Sequence, residues 1–233
     1  MNLPAFHQQL EECLAKYDLL CHPFYQAWSA GNLTRDDLSA YAAEYYHQVA
    51  NFPAALAAFA GRLGDGPMRK AVLANLADEE GRDSHNGGGR PHAEIWLDFA
   101  EGMGSSRDEA RHSIPCEEVS ALTAHFSNVA GTGDPEAALA AFYAFESQVP
   151  RVAVEKARGL RAHYAADDRT CCYFDLHATA DVFHSNVWRE QLSRLIETDP
   201  GKAATALGSA ESAAHALWTA LDGIEARRLA RAA

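Results

Sequence analysis

The sequence predicts an all-α fold: one domain over residues 1–233, built as a bundle of about seven helices. Three observations predict it. Apolar residues recur at three- and four-residue spacing through most of the chain. Runs of alternating valine, isoleucine and threonine, which strands require, are nearly absent. The 9 prolines and 16 glycines fall mostly at the edges of periodic segments, where they punctuate helices instead of breaking them. With 233 residues and 48% hydrophobic content the chain can bury one large core.

The elements follow in order. An amphipathic segment runs from Leu3 to about Tyr17, and His22-Pro23-Phe24-Tyr25 opens a short helix ending near Gly31. Thr34 with Asp37 three residues later forms a capping-box pattern, aspartate replacing the usual glutamate. The long helix behind it carries Leu38, Tyr41, Tyr45, Val49, Phe52, Leu56 and Phe59 on one face. Pro53 is expected to kink that helix without ending it, because the apolar period resumes beyond it. Gly64-Asp65-Gly66-Pro67 is a turn, and the helix after it holds Val72, Leu76 and Glu79 in register. Asn86-Gly87-Gly88-Gly89-Arg90-Pro91 is the clearest loop. A helix from about His92 to Glu101 precedes a polar stretch from Gly104 to Ser113. Pro115 starts a helix that ends at Gly131-Thr132-Gly133. Pro135 starts the next, expected to bend at Pro150 and continue to about Tyr164. The longest pattern runs from about Thr170 to Glu197. Asp199-Pro200 breaks it before a final alanine-rich helix with Leu207, Leu217, Leu221 and Ile224 on one side.

Composition excludes several functions. A formal net charge of −12 and the lack of a basic stripe argue against a nucleic-acid partner. No stretch reaches the ~18–20 apolar residues of a membrane span, and the N-terminus has no basic-then-apolar signal. A cytoplasmic location is the expectation. The five cysteines form no CxxC pair and their odd number suits reduced thiols; adjacent Cys171 and Cys172 read as packing or surface.

Chemistry concentrates in the segment from Phe174 to His184. His177, Asp181 and His184 are spaced by four and then three residues, so they project from one helical face, with Phe174 and Trp188 extending the stripe. Two imidazoles and a carboxylate therefore occupy core positions, at a cost of several kcal/mol unless something pairs with them. A divalent metal does so directly, and two histidines with one carboxylate is the facial ligand set of non-haem iron. A hydrogen-bonded histidine–aspartate core network is the bland alternative. Glu146 lies between Phe142 and Val149 on an otherwise apolar face, and Glu79 follows Val72 and Leu76 at helical spacing. Glu80, four residues from Leu76, competes with Glu79. His92 opens its helix ahead of Ile95-Trp96. Three histidines and three carboxylates suit two iron or manganese ions held between facing helices.

Five segments together resemble one family. They are His22-Pro23-Phe24-Tyr25-Gln26-Ala27-Trp28, Tyr41-Ala42-Ala43-Glu44-Tyr45-Tyr46, Asn75-Leu76-Ala77-Asp78-Glu79-Glu80-Gly81, Glu146-Ser147-Gln148-Val149-Pro150-Arg151 and His177-x3-Asp181-x2-His184. In this order they resemble the chlamydial protein associating with death domains (CADD) and its bacterial relatives, haem-oxygenase-like di-metal oxidases related in fold to TenA and PQQ synthase (PqqC). The resemblance spans about Leu3 to Leu195.

It implies a haem-oxygenase-like helical bundle with Glu79, His92, Glu146, His177, Asp181 and His184 as ligands of two divalent metals, Fe/Fe or Fe/Mn. It also implies p-aminobenzoate formation for folate synthesis, dependent on O2 and an external reductant. Tyr25 would supply the aromatic ring and Lys156, ten residues after Glu146, the amino nitrogen, with Tyr41 a second tyrosine near the site; the protein would consume itself, with no external organic substrate. The chain departs from the family between Glu80 and His92, where the connection is several residues longer, so His85 competes with His92. Phe145 stands where a tyrosine often precedes the ligand glutamate.

Other readings keep the fold. A multi-turnover di-iron oxidase would act on a fatty acid or amino acid and need an open pocket. A TenA-like hydrolase without metal would need a cysteine nucleophile. A non-catalytic interaction protein has no reason to bury six polar core positions. A homodimer through the final helix is expected, though the sequence leaves open whether that helix packs on its own bundle.

Overall fold

The computed structural model describes residues 2–82 and 89–232. Among them are eleven α-helices and no strand: α1 (Leu3–Ala15), α2 (Pro23–Ser29), α3 (Arg35–Arg62), α4 (Pro67–Glu79), α5 (His92–Met103), α6 (Arg107–His112), α7 (Glu117–Thr132), α8 (Pro135–Glu146), α9 (Val149–His163), α10 (Asp168–Thr198) and α11 (Ala203–Ala232). Two of them are short, and one expected helix is split. α2 spans seven residues. α6 spans six, inside the stretch expected to be a polar loop, and is held by a capping box between Ser106 and Glu109.

The expected single helix from Pro135 to Tyr164 is two. α8 ends at Glu146, Ser147 and Gln148 turn, and α9 starts at Val149 with Pro150 in its first turn. Proline has no N–H to donate and disfavours helical backbone in the residue before it. A sharp stop satisfies both constraints better than a bend. α3, by contrast, runs through Pro53 uninterrupted, and its Thr34–Asp37 capping box is present.

α10 lies at the centre, packed on α5, α8 and α9, so the whole length of its inner face is core. α3 packs on α7, α5 and α4, closing the other side. α11 covers α8 and α7 and touches α1, all within its own chain. Ala206, Ala210, Ala213 and Ala214 let it approach closely, while Leu217, Leu221 and Ile224 fill the deeper gaps. His22 ties the short α2 to this outer helix. Its Nδ1 accepts from the Phe24 amide (3.1 Å) and its Nε2–H donates to Asp222 Oδ1 (3.1 Å).

Candidate metal centre

Three helix ends and one helix face converge in the core. The stripe on α10 presents His177, Asp181 and His184 inward. α8 ends with Glu146, α4 ends with Glu79, and α5 begins with His92. The α4–α5 connection brings the last two together. Gly81 has φ +67°, and a Cβ there would collide with the Arg90 carbonyl, so only glycine lets the two backbones touch. All six side chains are at most 5% exposed. They form two sets of potential metal-binding atoms, each set lying within 4.8 Å: Glu79, His92 and His177 in one, Glu79, Glu146, Asp181 and His184 in the other. Glu79 belongs to both. Glu80 belongs to neither; it is half-buried and pairs with Arg82 at 3.1 Å. His85 lies outside the described residues.

Hydrogen bonds orient the imidazoles. His177 Nδ1–H donates to the Tyr173 carbonyl at 2.7 Å, which leaves Nε2 as the free donor atom. His184 Nε2 lies 2.9 Å from Asp78 Oδ2, and its Nδ1 faces Asp181 Oδ1 at 3.2 Å and Glu146 Oε1 at 3.7 Å. His92 Nδ1 is 3.0 Å from Glu79 Oε2 but out of line for a hydrogen bond, so both its ring nitrogens lack hydrogen-bond partners among the described residues. Glu146 accepts from the Trp188 indole N–H and, at 3.3 Å, from Asn75 Nδ2.

The protonation equilibria are correspondingly perturbed. Burial opposes charge on His184, yet Asp181, Asp78 and Glu146 outweigh it and push its pKa up to about 11. Burial, together with Asp181 and Glu79, holds Glu146 well above the usual carboxylate range against the pull of His184. Burial also works to raise Glu79, but His92, His177 and His184 more than offset it and leave it lowered.

These residues fit two divalent cations. Three other buried carboxylates are tied to lysine or arginine: Asp98 to Arg90 and Arg169, Glu136 to Lys202, Glu44 to Arg227. Among the described residues, Glu79, Glu146 and Asp181 have no lysine or arginine in ion-pair range, and their ion-pair partners are histidines. A fully buried imidazole with two orphaned nitrogens beside three such carboxylates is costly as a closed core. It is the donor set, mixed nitrogen and oxygen, that iron or manganese takes. No cysteine belongs to either set among the described residues.

Two residues of the site escape the sequence reading. Asp78 backs His184 from the far side. Tyr173, four residues before His177, stacks on its ring with centroids 3.9 Å apart. The i−4 position of Tyr173 on the same stripe was a usable signal. For Asp78 the signal was weaker: it shares a face with Asn75, three residues earlier on α4.

Tyr25, Tyr41 and Lys156 also come together. Lys156 Nζ donates to Tyr25 Oη at 2.8 Å and Tyr41 Oη at 2.6 Å, and the two phenols are 3.1 Å apart. Among the described residues no carboxylate pairs with this lysine, and burial alone drives its pKa well below the usual lysine range. Burial raises both tyrosines. The amine lies 4.2 Å from the Tyr25 ring centroid and 5.3 Å from that of Trp28, whose close packing on α9 depends on Gly159. A cavity of about 30 Å³ adjoins Tyr25 and Lys156. A second, of about 10 Å³, adjoins Glu79, Glu146, His177 and Asp181. Tyr173 and Phe145 line both. A wider cavity, about 630 Å³, is a surface hollow by Asp36, His112 and Arg231, away from this chemistry.

Comparison with known proteins places the chain among relatives of one fold. The "4-aminobenzoate synthase" of Nitrosomonas europaea is 36% identical over 96% of this chain and 92% of its own length. The protein of the same name from Chlamydia muridarum is 38% identical over 84% of this chain and 81% of its own. Pyrroloquinoline-quinone synthases and TenA homologues are also among the matches. A heme oxygenase-like structure from Shewanella denitrificans superposes with a TM-score of 0.77, at 17% identity, over 97% of this chain and 93% of the other. The chain thus has the haem-oxygenase-like fold. Residues 39–218 match the family model described as "Iron-containing redox enzyme", and the chain belongs to that family.

Proposed function

We propose that this protein makes 4-aminobenzoate from its own side chains, using O2 and an external reductant at a di-metal centre. Two divalent ions, iron with iron or iron with manganese, would be held by Glu79, His92, Glu146, His177, Asp181 and His184, with Glu79 shared. When bound, such ions supply the redox chemistry that couples O2 to oxidation of a nearby phenol. Tyr25 is the source of the ring, Tyr41 its hydrogen-bonded neighbour and Lys156 the source of nitrogen.

One observation carries the reading: a buried amine held 2.8 and 2.6 Å from two buried phenols, beside a cavity of only about 30 Å³. Ligand pockets run to roughly 300–1,000 Å³. A cavity this small has room for about one water. An external aromatic, a fatty acid or a free amino acid does not fit there, whereas Tyr25 already occupies the place a substrate would. Burial lowers the pKa of Lys156 well below the usual lysine range, which favours the neutral amine whose lone pair can act as a nucleophile. The aromatic wall around it keeps bulk water out. The names of the relatives support the product, and the family description supports iron.

The test is isotopic. Protein grown on ring-labelled tyrosine, loaded anaerobically with ferrous iron or with iron and manganese, is exposed to O2 and a reductant. Labelled 4-aminobenzoate at no more than one per chain is expected, with a matching mass loss mapped to Tyr25. Unlabelled product, or many turnovers per chain, sinks the self-sacrificing reading in favour of a multi-turnover oxidase.

A further inference from the structure

A buried centre must be filled from outside, and one cavity offers a route. We propose that the groove between α4 and α10 is the port through which divalent metal ions reach the centre, an inference that rests on the metal-centre reading above. The groove holds about 330 Å³. It exists because α4 leans mainly on α3 and touches α10 only sparingly. Ala74, Asn75 and Asp78 line it from α4, and His184, Val187 and Gln191 from α10, both at helical three- and four-residue spacing. Its inner end is therefore the candidate centre itself: His184 belongs to the second set of ligand atoms and Asp78 is bonded to His184. The cavity on the other side of the centre, about 10 Å³ and walled by Val49, Phe52 and Phe145, is too small for an ion that carries any of its water shell.

Oxygen donors mark the route. Glu190, exposed and shared with Arg194, lines the groove on its solvent side. Further in, Asn75 is 4% exposed, and its Oδ1 has no hydrogen-bond partner among the described residues although its Nδ2 is engaged with Glu146. A buried carbonyl left unpaired beside an open groove is costly unless a transient ligand uses it. Asp78 follows. A hydrated divalent cation could exchange its waters stepwise along these oxygens before meeting the imidazoles. The net charge of −12 raises the local cation concentration at the mouth.

Two substitutions narrow the groove from opposite walls without touching a candidate ligand: Val187→Trp on α10 and Ala74→Trp on α4. The metal-free full-length protein is mixed with Mn(II) under anaerobic conditions, and the loss of the aqueous Mn(II) EPR signal is followed in time. The expected result is uptake at least tenfold slower in both variants, with the same final Mn(II) per chain as the wild type. Uptake at the wild-type rate in both correctly folded variants overturns the port. A wild type that takes up no Mn(II) at all overturns the metal-centre reading instead, so the two failures are told apart.

Discussion

Lys156 is the residue whose chemistry is set most completely by its surroundings. Its head group has two phenols and an aromatic wall around it, and burial favours the neutral amine. The folded-state pKa is depressed, while in the unfolded chain the amine titrates near ~10.4. The unfolded state thus binds more protons between those two values, and stability must rise with pH across that window. Lys156→Met removes the titration while keeping most of the apolar stem. In the metal-free protein the variant is expected to gain stability over wild type at pH 7, the gain shrinking toward pH 10, as read from urea midpoints at both values. A stability difference independent of pH would mean that the lysine is charged in the folded state. The spacing of the α10 stripe made His177, Asp181 and His184 legible, because three polar residues on one apolar face break a strong pattern. Asp78 was illegible for the opposite reason: in the run Asp78-Glu79-Glu80 successive residues point about 100° apart, and only tertiary packing shows which two turn inward. The association of Lys156 with Tyr25 and Tyr41 joins residues 131 and 115 positions apart, beyond the reach of any local period.

At the scale of elements, the site depends on where helices stop. Glu79 and Glu146 are each the last residue of a helix and His92 is the first of one, so each stop sets a candidate ligand's position. Proline chemistry places the α8–α9 break, and the sequence reading mistook it for a bend because apolar periodicity runs on across Pro150. The short α6 was missed since five polar residues and one buried alanine, Ala110, carry almost no periodic signal. Gly81 controls the approach of α4 to α5. Its φ of +67° and its contact with the Arg90 backbone leave no room for a side chain. Gly81→Ala should cost about 1–3 kcal/mol from backbone strain alone, a fall in Tm of roughly 2–12 °C for a chain of this size. It should also separate Glu79 from His92 and lower metal retention by that set. A variant with wild-type Tm and wild-type metal content would show that the connection is not fixed by this glycine.

At the scale of the whole molecule, α11 joins the candidate centre to the surface. Its inner face is used within the chain, where it covers α8, the helix that delivers Glu146, and α7. A homodimer through this helix would have to use its outer face. The alanines of that face each bury little area, but together with Leu217, Leu221 and Ile224 they seal the apolar backs of α7 and α8. Fully burying one leucine- or isoleucine-sized side chain is worth about 1.5–3 kcal/mol, against a total stability of only about 5–15 kcal/mol for a typical domain. Removing the helix therefore removes an amount comparable with the whole margin. A chain ending at Lys202 is expected to lose cooperative thermal unfolding, to bind hydrophobic dye and to take up no metal, since α8 would no longer be held against α10. Calorimetry and metal analysis of the truncated chain check this together. A sharp transition with wild-type metal content would mean that α3 to α10 form a self-sufficient core and that α11 serves as an outer cover only.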